Sequence, residues 1–323
     1  MYITSEIYPC KITYTHACMD VNYNASYRTN TPPFPYKLPW IFLVLMIFII
    51  VTSVLGNSLV LIATWKNKCL RKQGRCFLAS LAVADILVGS FTTAARLYQS
   101  TGSRPLSAKF CTFYFWLVIL ANGVSVTTLA AVSIDRYCKI FYPLRYLARV
   151  TNRWHTSINT AIWLLCAVYG VLGVIPYSDG NEIYYSATDG CQNPAKTVKA
   201  VTAVFAFVFP FIVLTVTYFL IFLKAYRRRR SSEVHRHSSE ESRFSKDLRN
   251  IVTLAVLVLA FFVFLCPYFI VRSFRGLDCS KYNDVCYAVV VVLPRFNSCC
   301  NPVIYACFDK EYRNAFKKLF GRH

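Results

Sequence analysis

The chain has 323 residues, of which 56% are hydrophobic and 16% are charged, and its formal net charge is +21. Soluble domains average about 45–50% apolar residues, so the composition excludes an ordinary soluble domain and indicates a membrane protein. The basic residues lie between long apolar runs, so we attribute them to the positive-inside rule and expect no nucleic-acid partner. The 14 cysteines lack the spacing of a metal site.

Seven runs of the chain are long and apolar enough to cross a membrane, which takes about 20 mostly apolar residues in a helix. We name them spans 1 to 7, and they are predicted at residues 38–65, 74–99, 109–141, 153–175, 197–226, 248–274 and 284–308. They predict an all-α membrane protein, a seven-transmembrane helix bundle with a short amphipathic C-terminal helix. Its parts would be an extracellular N-terminal segment at 1–37, the bundle at 38–308, and the amphipathic helix with a short cytoplasmic tail at 309–323.

The distribution of Lys and Arg predicts the orientation of these spans. The connections after spans 1, 3 and 5 and the segment after span 7 are rich in bases, whereas the other connections are richer in acids. Basic connections stay in the cytoplasm, so we expect a multi-pass plasma-membrane protein with its N-terminus outside the cell. Asn24 begins a glycosylation sequon in that outer segment, although such triplets also arise by chance.

Two segments on the predicted cytoplasmic side have contrasting compositions. Residues 227–246 are basic, rich in Ser and nearly free of apolar side chains, which predicts a flexible loop. After span 7, aromatic residues such as Tyr312 and Phe316 recur at helical spacing, and bases such as Arg313 and Lys317 fill the other face. This pattern predicts a short amphipathic helix on the inner leaflet, with its bases toward anionic lipid; a soluble basic tail is the alternative.

Polar residues inside membrane spans need a partner or a function, because burying them without one is costly. Asp85 lies in the middle of span 2, and the other mid-span polar residues are Asn57, Ser125, Asn297, Ser298 and Asn301. If these side chains converge, they form a polar site with one negative charge that suits water and a Na⁺ ion. The alternative is a protonated Asp85 held by hydrogen bonds between helices.

Three spans have an interior proline, at Pro210, Pro267 and Pro302. Each proline removes a backbone hydrogen bond and kinks its helix. Three such kinks in a bundle with buried polar residues favour a bundle that has two arrangements.

The end of span 3 has the charge pattern of a latch. Asp135, Arg136 and Tyr137 follow one another at the predicted cytoplasmic face, and Asp247 begins span 6. An arginine shared between acids of two different helices can hold those helices together and release them. A charged pair at a helix end that is simply solvated is the alternative.

Taken in order, these motifs resemble those of the rhodopsin-like (family A) G-protein-coupled receptors. The residues that carry the resemblance are Gly56-Asn57, Leu81-Ala82-Val83-Ala84-Asp85, Asp135-Arg136-Tyr137, Trp163, Pro210 with Tyr218, and Asn301-Pro302-Val303-Ile304-Tyr305. Each motif alone is weak, but their order and spacing over seven spans are highly specific.

The resemblance implies roles for individual residues. It implies a sodium pocket, which favours the inactive state, at Asp85, Ser125, Asn297, Ser298 and Asn301. It implies that Arg136 receives the G protein once span 6 moves outward. The full set for coupling and activation is Asp135, Arg136, Tyr137, Tyr218, Asp247, Tyr305, Pro210, Val126 and Phe261.

The resemblance also implies a disulfide between Cys111, at the outer end of span 3, and Cys191, in the second outer connection. That connection would face an oxidising space, where disulfides persist. Cys279 and Cys286 could close a second ring in the third outer connection, and Cys10 and Cys18 a third.

The chain departs from the family pattern at three positions. Leu265 stands where the family usually has Trp, so we expect ligand triggering to differ or basal activity to be raised. Val118 stands where amine receptors hold the Asp that pairs with an ammonium group. Arg295 stands where opsins carry the retinal lysine, and Arg cannot form a Schiff base because it stays protonated. These departures predict an orphan-like receptor that is neither aminergic nor an opsin.

Three arginines of the outer half, Arg96, Arg272 and Arg295, would lie near the ligand cavity by the same resemblance. Arginine captures carboxylate and phosphate well, so a carboxylic acid, nucleotide, acidic lipid or acidic peptide is the predicted ligand. Alternatively, these arginines pair with acids of the outer connections or reach water. The remaining predicted pocket residues are Val118, Asn122, Phe205, Leu265 and Val291.

The function predicted is a receptor that transmits extracellular ligand binding to a heterotrimeric G protein by outward movement of span 6. An enzyme is not expected, since no nucleophile–base pair or metal-ligand set is evident, and no cofactor is expected beyond an allosteric Na⁺. A non-signalling or constitutively active receptor stays open, and a transporter is disfavoured because the halves show no internal repeat. No Ser or Thr follows Tyr305, so any arrestin signal would come from serines of the 227–246 segment.

Overall fold

The computed structural model describes residues 39–67, 75–101, 106–175, 183–186, 190–193, 201, 204–232, 238–275 and 288–321, which belong to the unit Phe34–His323. The predicted glycosylation site Asn24 and the two predicted smaller rings, Cys10 with Cys18 and Cys279 with Cys286, lie outside the described residues. The side chains of Asp247 and Arg272 also lie outside the description.

The described residues form seven long helical segments in the order of the predicted spans. They are Trp40–Lys66 for span 1; Arg75–Leu87, a π-helical turn Val88–Thr93 and Ala94–Thr101 for span 2; Ala108–Phe141 for span 3; Asn152–Leu172 for span 4; a π-helical turn Val204–Val208 and Phe209–Ser232 for span 5; Ser238–Arg275 for span 6; and a π-helical turn Ala288–Val292 and Leu293–Phe308 for span 7. The fold class is therefore the predicted all-α seven-helix bundle.

Shorter elements accompany these helices. The loop helix, Pro143–Arg149, follows span 3, and the terminal helix, Lys310–Leu319, follows span 7. Between spans 4 and 5 the strands β1, Tyr184–Ser186, and β2, Gly190–Gln192, pair antiparallel. The sequence did not predict this small sheet, whose strands are three residues each.

The length and apolar character of the helices fit a membrane. Spans 1, 2, 3, 4 and 7 are long and apolar enough to cross it, and spans 5 and 6 contain shorter apolar stretches, Phe209–Lys224 and Ala255–Val271. Large apolar side chains of spans 1 and 4, such as Leu55 and Leu165, are exposed. Exposed apolar side chains fit contact with lipid, because the membrane interior contains no water.

Side-chain caps explain where several helices begin. The Ser107 hydroxyl accepts a hydrogen bond from the backbone N–H of Phe110 at the start of span 3, and Thr151 does the same for Trp154 at the start of span 4. Asp309 Oδ1 accepts from two backbone N–H groups of the terminal helix. Each cap satisfies donors that have no partner inside the helix.

The prediction of a flexible loop over residues 227–246 is wrong at both ends. Span 5 continues as a helix to Ser232, and span 6 already begins at Ser238. The composition was misleading because Arg, Lys and Glu favour helix even where no apolar face is buried. The absence of apolar residues therefore did not indicate an absence of helix.

We call the two ends of the bundle inner and outer: the inner end has Asp135 and Arg136 and is predicted to face the cytoplasm. At the inner end, the terminal helix is held by a terminal-helix anchor made of Thr64, Arg75, Asp309, Glu311 and Tyr312. Arg75 lies 3.2 Å from the Asp309 carboxylate and 2.6 Å from that of Glu311. The Tyr312 hydroxyl lies 2.9 Å from that of Thr64, and burial raises the pKa of Tyr312.

Removing the Asp309 carboxylate should destabilise the protein strongly. Asp309 is buried, it caps the terminal helix, and it neutralises the buried Arg75. We expect Asp309→Ala to lower the free energy of unfolding by about 2–4 kcal/mol, because it removes the helix cap and one of the two carboxylates that bind the buried Arg75. Thermal unfolding of the purified protein in detergent measures this effect, and Lys310→Ala, at the exposed neighbouring position, is the control. Equal unfolding temperatures for the two variants would contradict the anchor.

Candidate functional site

A polar cluster lies at the centre of the bundle, around Asp85. This carboxylate is fully buried, and its Oδ2 accepts a hydrogen bond of 2.6 Å from Asn301 Nδ2 of span 7. Asn57 Nδ2 of span 1 donates to the backbone carbonyls of Ser53 and Ser298, each at 2.9 Å. Spans 1, 2 and 7 are therefore joined by polar contacts at one level of the bundle.

Close backbone contacts make this convergence possible. A Cβ on Gly89, in the π-helical turn of span 2, would lie 2.5 Å from Ser53 Cβ, and a Cβ on Gly56 would lie 2.8 Å from Pro302 Cγ. Only glycine permits these approaches, because any larger residue would collide with span 1 or span 7. The two glycines thus let span 1 contact both helices that supply the central polar groups.

Several oxygen atoms of the central cluster have no hydrogen-bond partner within the described part of the chain. They are Asp85 Oδ1, Asn57 Oδ1, Ser53 Oγ and Ser125 Oγ. Asn297 and Ser298 are also buried. Buried polar atoms are normally paired, often through ordered water, and hard cations bind oxygen ligands. The oxygen atoms around Asp85 fit water molecules or a Na⁺ ion, and all five residues of the predicted sodium pocket are buried.

The inner end of span 3 has a second cluster, centred on Asp135. Its Oδ1 accepts hydrogen bonds from the Tyr146 hydroxyl of the loop helix and from His155 Nε2 of span 4, both at 2.8 Å. Arg136 Nε lies 3.8 Å from the other oxygen, Oδ2, which is beyond hydrogen-bonding distance. Arg136 is nevertheless largely buried, with 14% of its side chain exposed.

Sequence reasoning missed Tyr146 and His155. Both are buried, and His155 is 2% exposed although it lies in the first turn of span 4. A histidine in the first turn of an otherwise apolar span, near a charged motif, was the available signal. Its significance depends on the packing of span 4 against span 3, which the sequence does not display.

The tyrosines predicted to support activation lie on either side of this inner cluster. Tyr305 is buried and its ring stacks on Tyr312 at 5.1 Å, while its hydroxyl has no hydrogen-bond partner among the described residues. Tyr218 of span 5 lies near Ser133 and Arg136. Tyr137 packs its ring on Phe141, at 4.3 Å.

The predicted transmission residues lie deeper in the bundle. Val126, Phe261 and Leu265 are buried in one hydrophobic cluster of spans 3 and 6. Phe262 contacts both Phe261 and Phe211 of span 5 edge to face. Pro210 is buried directly after the π-helical turn of span 5.

The outer end is closed by the disulfide between Cys111 and Cys191, which ties span 3 to β2. Beside it, the buried Gln99 accepts hydrogen bonds through Oε1 from the Cys191 backbone N–H, at 3.3 Å, and from Arg96 Nη1, at 3.4 Å. The disulfide, the small sheet and span 2 therefore form one connected outer layer above the bundle.

Arg295 lies below this layer, between spans 3 and 7. Its Nη1 donates to the Val291 carbonyl and its Nη2 lies 3.5 Å from the hydroxyl of Tyr114. Its Nε is buried without a hydrogen-bond partner, and no carboxylate lies within ion-pair distance within the ranges that the structure describes. Gln99 and Tyr114 were not predicted as site residues; they follow from the contacts of the arginines.

The other predicted pocket residues divide into two groups. Leu265 and Val291 are buried, Val118 packs on the outer cluster around Cys111, and Asn122 Nδ2 donates to the Val118 carbonyl of its own helix. Phe205 is 61% exposed, and its ring lies 6.3 Å from that of Tyr169 in span 4. The structure therefore does not bring Phe205 together with the others, because its side chain on the π-helical turn Val204–Val208 is exposed.

Comparison with known proteins agrees with this arrangement. Residues 56–305 match the family described as 7 transmembrane receptor (rhodopsin family). The chain is 30% identical over 283 residues to the histamine H2 receptor of Homo sapiens, covering 86% of this chain and 78% of that receptor. It is 29% identical over 301 residues to the adenosine receptor A2a of Canis lupus familiaris, covering 88% and 73% respectively. It is 28% identical over 319 residues to dopamine receptor 1 of Drosophila melanogaster, covering 86% and 61%.

The family match covers more than half of the chain and runs from the Gly56-Asn57 motif of span 1 to Tyr305 of span 7. The predictions of a receptor, of a G-protein partner with an extracellular ligand, and of a multi-pass plasma-membrane protein are confirmed at that level, and the family consists of receptors rather than enzymes. The chain belongs to the rhodopsin family of seven-transmembrane, G-protein-coupled receptors.

Proposed function

We propose that this receptor carries a signal from an anionic extracellular ligand to a heterotrimeric G protein through outward movement of span 6. The observation that supports the signalling step best is the state of Arg136. Its guanidinium is largely buried, yet the nearest acid among the described side chains is 3.8 Å away and already bound by two other donors. A weakly held buried arginine can be released to a new partner at little cost in lost hydrogen bonds.

The proposed movement would allow two tyrosines, Tyr305 and Tyr218, to form new contacts. The Tyr305 hydroxyl lacks a partner among the described residues, and Tyr218 lies close to Arg136. Pro267 interrupts the hydrogen bonding of span 6 above them, so the inner half of that helix can swing about the kink. In the active arrangement, these tyrosines would stabilise the helix positions that expose Arg136 to the G protein.

The proposal also includes the orientation of the chain in the membrane and its contacts with lipid and arrestin. The N-terminus would lie outside the cell, and the terminal helix would lie on anionic lipid of the inner leaflet. A groove of about 460 Å³ lined by Ala306, Arg313, Phe316, Lys317 and Phe320 supports this, since it combines an apolar floor with two bases. Arrestin would be recruited through serines of the 227–246 segment.

We further propose that the central cluster binds Na⁺ and that Na⁺ favours the inactive arrangement. Asp85→Asn keeps the shape of the side chain and removes its charge, so it should abolish the suppression of basal G-protein activation by NaCl. The ratio of basal rates without and with Na⁺ should fall to about one, because a ligand without differential affinity shifts no equilibrium.

This effect is measured as nucleotide exchange in membranes, with N-methylglucamine chloride replacing NaCl at constant ionic strength. Ser90→Ala, an exposed position on the same span, is the matched control. Undiminished Na⁺ sensitivity in Asp85→Asn would show that the ion acts elsewhere.

The proposed class of ligand rests on Arg295. This partly buried arginine lies between spans 3 and 7 with its buried Nε–H unsatisfied and no acid beside it among the described residues. The relatives are named for histamine, dopamine and adenosine. Val118, an apolar residue, offers no charge to an ammonium group, whereas Arg295 and Tyr114 offer donors to a carboxylate or phosphate.

The test is G-protein activation in cells that express the chain, with a panel of carboxylates, nucleotides and acidic lipids beside a panel of amines and adenosine. Activation by an anion supports the whole proposal. Activation by amines or adenosine alone would keep the signalling role and refute the class of ligand. Basal activation without any response to a ligand would indicate a constitutively active receptor, and the absence of any activation a non-signalling one.

A further inference from the structure

Asp135 is oriented away from its neighbour Arg136 by two other side chains. Tyr146 and His155 both bind Oδ1 at 2.8 Å, and these two side chains also lie 3.5 Å from each other. Oδ2, the oxygen nearer to Arg136, has no hydrogen-bond partner in the described part of the protein, and neither does Arg136 Nε. The two hydrogen bonds that Asp135 accepts therefore come from span 4 and the loop helix.

The position of the protons follows from the chemistry of these groups. An ionised carboxylate only accepts hydrogen bonds, so the Tyr146 hydroxyl and His155 Nε2–H must both donate. Burial, and then the charge of Asp135, raise the pKa of Tyr146, so this donor keeps its proton. His155 Nδ1 is then the unprotonated nitrogen, and it is buried without a hydrogen-bond partner among the described residues.

Among the described side chains, the groups around Asp135 and His155 include one acid and one nearby permanent cation. Span 3 contributes Asp135, Arg136 and the thiol of Cys138, and the loop helix contributes Tyr146. Span 2 contributes the thiol of Cys76 and the Phe77 ring, whose edge-to-face contact with the imidazole is 5.5 Å. On its own helix, Arg153 is exposed to solvent. With His155 neutral, the single negative charge of Asp135 balances Arg136.

A second proton on His155 changes that balance. The imidazolium would bind Asp135 by a charge-assisted hydrogen bond, which is stronger than the neutral one. It would also place a second cation next to a carboxylate that already faces Arg136 at only 3.8 Å. Two cations would then share one acid, and the attraction that holds Arg136 at the inner end of span 3 would weaken.

We propose that His155 is a positioning residue for G-protein coupling: it holds the Asp135 carboxylate away from Arg136, and its protonation loosens Arg136 further. Basal coupling therefore rises as the pH at the inner face falls. This inference rests on the proposed function, since Arg136 is its output.

The experiment measures receptor-dependent nucleotide exchange on purified G protein in washed membranes between about pH 6 and pH 8, within the range where histidine is the side chain that changes charge. Exchange in membranes without receptor is subtracted at every pH. His155→Gln keeps an N–H donor that cannot take a second proton, and His155→Phe removes the donor. Thr156→Ala, an exposed neighbour on the same helix, is the matched control, and surface expression is measured for every variant.

We expect basal exchange by the wild-type chain and Thr156→Ala to rise about two- to tenfold from the high to the low pH, the range that corresponds to one modest hydrogen-bond change. His155→Gln should show the high-pH rate at every pH. His155→Phe should be lower still, because Asp135, then held by Tyr146 alone, can turn to Arg136. A purely structural role would give reduced expression with an unchanged pH profile.

Two results would overturn the inference in distinguishable ways. If His155→Gln exchanges with the same pH dependence as the wild-type chain, His155 is not the positioning residue, although the signalling role stands. If the wild-type chain activates no G protein at any pH, the proposed function fails and this role fails with it.

Discussion

Replacing Arg136 with alanine should silence G-protein activation and leave the receptor at the cell surface. Arg136 is the buried cation that we propose meets the G protein, and the hydrogen bonds of an arginine to charged or carbonyl acceptors cannot be replaced by a methyl group. Losing even one such bond at an interface, worth about 1.5–3 kcal/mol, would reduce activation about ten- to a hundredfold.

The structure explains why the fold should survive this change. Asp135 does not depend on Arg136, because Tyr146 and His155 already donate to it at 2.8 Å. Removal of the guanidinium therefore leaves a buried acid that is still bound. In a fold where Arg136 supplied the hydrogen bonds of Asp135, the same variant would leave a buried carboxylate without a donor and lose expression.

Activation is measured with a nucleotide-exchange or second-messenger assay, and expression with an N-terminal epitope. Arg149→Ala, which removes an exposed arginine from the loop helix, is the control for loss of charge at the inner end. Arg136→Lys keeps the charge without the fork of donors and should recover only part of the activity. Full activation by Arg136→Ala would overturn the role assigned to this residue.

Replacing Arg295 with alanine should abolish the response to an anionic ligand while basal activation persists. The residue lies in the outer half of span 7, with its Nη2 3.5 Å from the Tyr114 hydroxyl of span 3. A carboxylate or phosphate at this position would gain two charge-assisted hydrogen bonds from the guanidinium, and its potency should fall about a hundredfold or more without them.

Three companion variants separate charge from shape. Arg295→Lys keeps a cation but loses the bidentate geometry, so it should have intermediate potency. Tyr114→Phe removes one hydroxyl and should cost about tenfold or less, as expected for one neutral hydrogen bond. Arg272→Ala tests the third predicted arginine of the outer half. An anion that activates Arg295→Ala as well as the wild-type chain would place the binding site elsewhere.

The sequence predicted that the polar residues inside the apolar spans need partners. It predicted which residues those partners are only in part. A buried carboxylate such as Asp85 needs a partner, because lipid supplies none. The hydrogen bond comes from Asn301, which is 216 residues away in the chain. The level at which spans 1, 2 and 7 meet depends on the close approaches at Gly89 and Gly56. Those approaches are properties of helix packing, which a linear pattern does not display.

The inner end shows the same limit more strongly. The sequence indicated that Asp135 and Arg136 act together and suggested Asp247 as the second acid. In the structure the partners of Asp135 are Tyr146 and His155, which are 11 and 20 residues away. Neither has a distinctive spacing, because a contact between a loop helix and the start of a span is determined by how the two helices cross.

The sequence by itself determined the class of this protein. Apolar runs of the required length, bases on alternate connections and polar motifs in fixed order follow from the requirement that a chain in lipid pair its own backbone groups and keep its charges in water. The terminal helix was predictable for the same reason, since its aromatic stripe has helical periodicity.

Only the tertiary structure decided which polar atoms meet. It determined that Asp309 pairs with Arg75 and that His155 contacts Asp135. It also determined that Arg295 lies beside Tyr114. These are contacts between helices far apart in the chain, and their geometry depends on close packing of all seven spans at once, to which each side chain makes a small contribution.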